Sequence, residues 1–136
     1  MTDVAGDSCV GSFGGSFGVA LTCIDGRIAE VVQQQLRGEW GVDFVDVVTL
    51  PGPEVAVPAL PEQHAVWDAL RISVQRHGST RAAVVAHTDC AANAVGLDIR
   101  REQVREAVFE VRDFLPRVEV SGWLVDTMTS TMEEVE

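Results

Sequence analysis

Residues 17–50 read FGVALTCIDGRIAEVVQQQLRGEWGVDFVDVVTL, and the fold turns on this stretch. FGVALT (17–22) is a short apolar run with the length of a buried strand. In IAEVVQQQLRGEW (28–40) the apolar residues fall at 28, 31, 32 and 36, the spacing of one helical face, and Gly38 and Gly41 bracket its end. VDFVDVVTL (42–50) is rich in valine and reads as a second strand. Strand, helix and strand in succession form a βαβ unit, whose two strands run parallel.

The alternation continues. LPGPEVAVP (50–58) reads as a Pro/Gly-rich loop. Pro61 at the first helical position opens PEQHAVWDALRISVQRHG (61–78), which ends at Gly78. RAAVVA (81–86) is a third buried strand. DIRREQVREAVFEVRDFL (98–115) is an amphipathic helix with its apolar face at 104, 108, 111 and 115. VEVSGWLVD (118–126) is a fourth strand, and the last ten residues form an edge strand or a frayed tail. The expected fold class is therefore α/β, with a central, mostly parallel sheet of four to five strands flanked by helices. Residues 1–16 are expected to be a flexible arm, and residues 17–136 a single domain. GSFGGSFG (11–18) lacks the Lys and Ser/Thr of a phosphate-cradling loop and follows no strand, so it reads as part of that arm.

Composition bounds the function. A chain of 136 residues with 46% hydrophobic content can build its own core. No apolar run approaches the about 20 residues needed to span a bilayer. The opening MTDVAGDSCVGSFGG carries acids and no Lys or Arg, the wrong charge for a secretory or transit peptide. The expectation is a cytoplasmic protein, with a bacterial microcompartment as the alternative setting. The net charge of −11 repels nucleic-acid phosphates and anionic lipid, so neither nucleic acid nor membrane is expected as a partner. Three cysteines in such a chain do not form a disulfide framework, which directs attention to metal binding or catalysis.

In parallel sheets, sites form where strands end at the carboxyl edge. Cys23 directly follows the first strand and His87 the third. His87 and Cys90, three residues apart on a turn, can face one ion, and sheet pairing would bring Cys23 alongside. Zn²⁺ favours Cys and His ligands in tetrahedral geometry, and three protein ligands leave one position for water. Asp25 is placed to accept a hydrogen bond from that water or to bind the metal itself, and Arg27 to clamp Asp25 bidentately. Blander readings suit the remaining candidates. Cys9 reads as a small hydrophobe in the arm. His64 and His77 read as surface helix residues, with His64 as a proton shuttle the sharper alternative. Gln33, Gln34 and Gln35 read as a solvated helix face, with a reach into the pocket as the alternative. Trp40, Trp67 and Trp123 read as core or interface packing.

Cys-x-Asp-x-Arg (Cys23, Asp25, Arg27) followed by His-x-x-Cys (His87, Cys90), each after a strand, resembles the β-class carbonic anhydrases. VSGWLVD (120–126) is similar to the strand that follows the long helix in that family, and the likeness runs over residues 17–130. The resemblance implies one Zn²⁺ per chain and zinc-bound hydroxide that hydrates CO₂ to bicarbonate. It also implies a closed form in which Asp25 replaces water on zinc, and a homodimer or higher homo-oligomer with active sites near the interface. The sequence departs from the pattern in three places. The helical arm is replaced by the Gly/Ser/Phe stretch. The usual Arg-Asn-Ala-Gly-Asn-like segment is Thr49-Leu50-Pro51-Gly52-Pro53. The paired glycines after the second zinc cysteine are Ala91 and Ala92. Gly52 and Ala91 are thus expected in the substrate pocket wall. Two alternatives keep the zinc: a carbon disulfide or carbonyl sulfide hydrolase, and a non-catalytic assembly or regulatory subunit. A thiol-exchange protein ranks last, because no Cys-x-x-Cys is present.

Overall fold

The structure, a computed structural model, describes residues 14–136. Cys9 and the arm up to residue 13 lie outside the described residues. Five strands, β1 (Phe17–Thr22), β2 (Phe44–Thr49), β3 (Arg81–His87), β4 (Glu119–Asp126) and β5 (Thr131–Val135), form one sheet in the order β2-β1-β3-β4-β5. The first four are parallel; β5 returns antiparallel along β4, with Val125 opposite Met132, so the chain end described here is an edge strand. Helices α1 (Ala29–Trp40), α2 (Pro53–Ala56), α3 (Ala65–Arg76) and α4 (Leu97–Phe114) fill the connections.

The topology follows from connection handedness. The chain steps from β1 outward to β2, then crosses back over β1 to β3. Right-handed crossovers require the helices of these two steps to lie on opposite faces. The core divides that way. Ile28, Val32 and Leu36 at α1 pack with Ala20, Ala83 and Val85 on one face. Val66, Trp67 and Leu70 of α3, with Val104, Ala107, Val108 and Val111 of α4, pack on Val19, Leu21, Ala82 and Val84 on the other. Alternate residues of β1 and β3 thus serve opposite faces, as the strand period of two dictates.

Several elements differ from the sequence reading, each for a local reason. Residues 50–58 are not all loop. Gly52, at φ 54°, turns the chain so that its carbonyl accepts from Val55 N and Ala56 N, both at 3.0 Å, and Pro53 starts α2; a 3₁₀ turn follows at Val57–Ala59. Only glycine takes that left-handed conformation at little cost. The next helix begins at Ala65, four residues after Pro61. His64 caps it, its Nδ1 accepting from Val66 N at 3.1 Å, while the Pro61 carbonyl accepts from the Trp67 indole at 3.1 Å. His77 is the C-cap of α3 and pairs with Asp46 at 2.6 Å. Gln34 and Gln35 are exposed, but Gln33 is half-buried: its amide donates to Val45 O at 2.8 Å and ties α1 to β2. Ser16, the last residue of the expected arm, hydrogen-bonds Asp43 through its backbone N at 2.9 Å.

At Gly122 α4 lies close against the sheet. A methyl group there would lie 2.4 Å from Val104 Cγ1 and 3.0 Å from Val108 Cγ2. Gly122→Ala is expected to destabilise the fold by about 1–3 kcal/mol through overpacking, read as a lowered denaturation midpoint in urea.

Candidate metal centre

β1 lies between β2 and β3, so the strand order reverses at the β1/β3 pair. The crevice outside the carboxyl ends of those two strands is where doubly wound sheets place their ligands. Leu21 pairs with Val84; Cys23 leaves β1 two residues on and His87 ends β3 three residues on, at the same edge. The strand takes in His87, one residue further than RAAVVA suggests. Thr88 N then donates to Val125 O at 2.9 Å, holding the exit of the strand to β4. Asp89 adopts φ 55°, a conformation uncommon outside glycine but tolerated by aspartate, and this turn brings Cys90 back toward the sheet.

Cys23, His87 and Cys90 are all buried, and one ligand atom from each lies within 4.8 Å of the others. The donor set fits a thiophilic divalent ion. His87 Nδ1 donates to the Thr88 carbonyl at 2.7 Å, and this tautomer leaves a bare lone pair on Nε2. Nε2 is buried and has no hydrogen-bond partner among the described residues. A buried, unsatisfied imidazole nitrogen beside two free thiols is costly unless a cation completes it.

Asp25 and Arg27 flank the cluster. Arg27 donates to Asp25 Oδ1 from its backbone N at 2.9 Å and from Nε at 3.1 Å, and to Oδ2 from Nη2 at 2.7 Å. Asp25 Oδ2 lies 3.8 Å from His87 Nε2. The Arg27 side chain and then its backbone N–H hold the Asp25 carboxyl well below the usual carboxylate range, against the opposing effect of burial. Asp25, and after it Asp89, raise the affinity of the Arg27 guanidinium for its proton. Burial pushes the Cys90 thiol up, so it carries a proton at neutral pH when no metal is present.

Sequence reasoning left several neighbours unread. Asp89 joins the cluster's polar side, receiving Arg27 Nη1 on Oδ2 at 3.2 Å and Nη2 on its carbonyl at 3.1 Å. Buried Glu54, Asn93 and Arg100 lie beneath the Cys90 loop. Arg100 had a signal: it stands four residues before Val104, a charge on the apolar stripe of α4. Glu54 had none within a Pro/Gly-rich stretch. Gly52 is buried with its Cα facing Ala92 and Asn93, while Ala91 is exposed.

Fold and cluster together define a doubly wound α/β domain with a candidate metal centre at its switch point. The family model described as "Putative carbonic anhydrase" matches residues 13–136, and the chain belongs to that family. Among solved structures, the carbonic anhydrase from Streptococcus mutans is 21% identical, with a TM-score of 0.62 over 87% of this chain and 81% of that one. The β-carbonic anhydrase isoform I of Trichomonas vaginalis is 14% identical, with a TM-score of 0.63 over 86% and 81%. The β-carbonic anhydrase CafD of Aspergillus fumigatus is 13% identical, with a TM-score of 0.65 over 91% of each chain. At these identities the likeness is one of fold, that of the β-carbonic anhydrases. No curated protein sequence matches the chain. No helix among the described residues is long and apolar enough to cross a membrane.

Metal uptake must expel the Cys90 proton, so apparent affinity falls as pH is lowered. With at least this one proton released, affinity for Co²⁺ is expected to drop about tenfold per pH unit below neutrality. Competition titrations against a chelator of known proton affinity would read this directly.

Proposed function

We propose that this chain is a zinc-dependent carbonic anhydrase that interconverts CO₂ and bicarbonate, with one Zn²⁺ held by Cys23, His87 and Cys90. The observation that carries the reading is the buried Cys, His, Cys cluster with the Asp25–Arg27 pair beside it, Asp25 Oδ2 lying 3.8 Å from His87 Nε2. Bound there, zinc supplies a Lewis acid that lowers the pKa of a water molecule to about 7.

The chain's own residues do the rest. Asp25 is ionised at any pH near neutrality, so it is a hydrogen-bond acceptor for the attacking water and a poor carrier of its proton. Accepting that bond orients the oxygen lone pair toward the carbon of CO₂. A new C–O bond forms, one C=O bond becomes a C–O single bond, and the water's proton passes to solvent or buffer. Arg27 engages both Asp25 oxygens, which supports an arrangement in which the carboxylate is held off the fourth metal position. Thr88 fixes the His87 ring through Nδ1 and so aims Nε2 at the metal. Gly52 and Ala91 stand near the same loop and form part of the pocket wall in this reading. The edge strand β2, with Phe44 and Val47 exposed along it, supports self-association into a homodimer or larger assembly.

Stopped-flow CO₂ hydration by zinc-quantified protein, beside a Cys90→Ser control, tests the function. About one zinc per chain with hydration lost in the control is the expected result. Full zinc without hydration would redirect the reading to carbon disulfide and carbonyl sulfide, and then to a non-catalytic subunit. Arg27→Ala is expected to keep its zinc and lose about 10- to 100-fold in kcat/KM, because Asp25 is then free to turn. Stability drawn from the depressed Asp25 pKa is present above its ordinary value of 3.8 and is lost as pH falls below it. The Arg27→Ala variant is therefore expected to differ from wild type in thermal midpoint at pH 7 and to converge with it on acidification.

A further inference from the structure

Beneath the Cys90 loop lies a polar knot that the hydration chemistry does not use. Glu54 of α2 is 1% exposed, Arg100 of α4 3%, and Asn93 of the intervening loop 7%. Arg100 Nη1 lies 3.4 Å from Glu54 Oε2. Asn93 Nδ2 donates to the same Glu54 oxygen at 2.7 Å and to Gln103 Oε1 at 2.8 Å. Arg100 also donates to two loop carbonyls, Asn93 O through Nη1 at 3.0 Å and Val95 O through Nη2 at 2.7 Å. Asn93 N in turn donates to Cys90 O at 3.2 Å, within an isolated bridge between these two residues. A continuous path of hydrogen bonds thus runs from the Cys90 backbone through Asn93 to Glu54 and Arg100.

A buried ion pair is poor evidence for stability, because desolvation offsets its attraction. Its use here is positional. The segment between β3 and α4 has no regular structure beyond that one bridge, yet it must hold Cys90 against Cys23 and His87. Metal ligation tolerates errors of only about 0.5 Å, and loops alone rarely hold such tolerance. α2, which carries Glu54, packs on both α4 and β3, so the anchor is fixed from two sides. One oxygen of Glu54, Oε1, makes no hydrogen bond among the described residues. The carboxylate is therefore committed to Asn93 and Arg100 through its other oxygen.

We infer that Glu54 is a positioning residue for Cys90: through Asn93 and Arg100 it fixes the metal-binding loop in the geometry that the ion requires. The inference rests on the metal-site reading above. It is tested on full-length protein loaded with Co²⁺, whose thiolate charge-transfer and ligand-field bands report ligand geometry. Wild-type protein should take up one Co²⁺ per chain with the spectrum of a two-thiolate site. Glu54→Ala should weaken the charge-transfer band and release metal to a chelator about 10- to 100-fold faster. Glu54→Gln keeps an acceptor for Asn93 but not the charge for Arg100, and should fall between the two. Asp46→Asn, which disturbs the half-buried bonds of this β2 carboxylate to Ser73 and His77, serves as the control for stability alone and should leave the spectrum unchanged. A wild-type spectrum and release rate in Glu54→Ala, whatever its melting temperature, would overturn the inference. Should that variant not fold, the same result in Glu54→Gln would overturn it equally. Wild-type protein that takes up no Co²⁺ would instead remove the metal-site reading itself, a failure distinct from this one.

Discussion

Parallel pairing of β1 with β3 is the constraint on which the rest depends. Val19, Ala20 and Leu21 lie beside Ala82, Ala83 and Val84, and the register lets Cys23 and His87 emerge at one edge. A slip of one residue would turn each strand's side chains to the opposite face, so the buried residues on both faces hold the register. The site thus inherits its geometry from the core. The crossover from β2 back over β1 supplies the crevice, and the left-handed turn at Asp89 brings Cys90 to the cluster.

Charge is distributed around that crevice with a consistent logic. The chain is strongly acidic as a whole, at −11, yet Arg27 stands at the mouth and Arg100 beneath the loop. Each answers carboxylate and carbonyl partners. Arg27 bridges Asp25 to Asp89 and so links the loop after β1 to the loop after β3. Arg100 bridges Glu54 to the carbonyls of Asn93 and Val95. The first pair is exposed, and its value lies in orienting a carboxylate; the second is buried, and its value lies in fixing a backbone. Between them sit two thiols and an imidazole, whose burial makes sense together with the charge of a cation.

Much of this was legible in the sequence. The strands around FGVALT and RAAVVA, and the apolar stripe of α4, follow periodicities that tertiary packing reinforces. The clustered residues were legible because Cys23 follows β1, His87 ends β3 and Cys90 lies three residues beyond it, and strand ends converge in a doubly wound sheet. What could not be read depended on partners distant in sequence. His64 is on the surface as its position suggests, but it stands just outside α3 and its ring caps the helix, while the Trp67 indole donates to the Pro61 carbonyl across the preceding turn. Gln33 falls on the polar side of α1 by periodicity, yet it meets a carbonyl of β2. Residues 53–59 carry loop-forming residues and still make helical turns, since proline suits a first turn as well as a loop. Glu54 is the clearest case: nothing local marks it as buried, and its partners Asn93 and Arg100 come from the chain beyond β3.

The departures from the β-class pattern at Thr49–Pro53 and at Ala91 and Ala92 now have a place in the fold. Both segments meet where Gly52 faces Ala92, so one has changed where it contacts the other. The second of them reaches the cluster itself, because the Ala92 backbone N–H donates to the Cys90 thiol. The central claim is therefore about the metal, and zinc K-edge X-ray absorption of the purified protein tests it most directly. The account predicts about one zinc per chain with two sulfur ligands at about 2.3 Å, one imidazole nitrogen at about 2.0–2.1 Å and one further light atom. A zinc-free protein, or a zinc shell without sulfur, would contradict it.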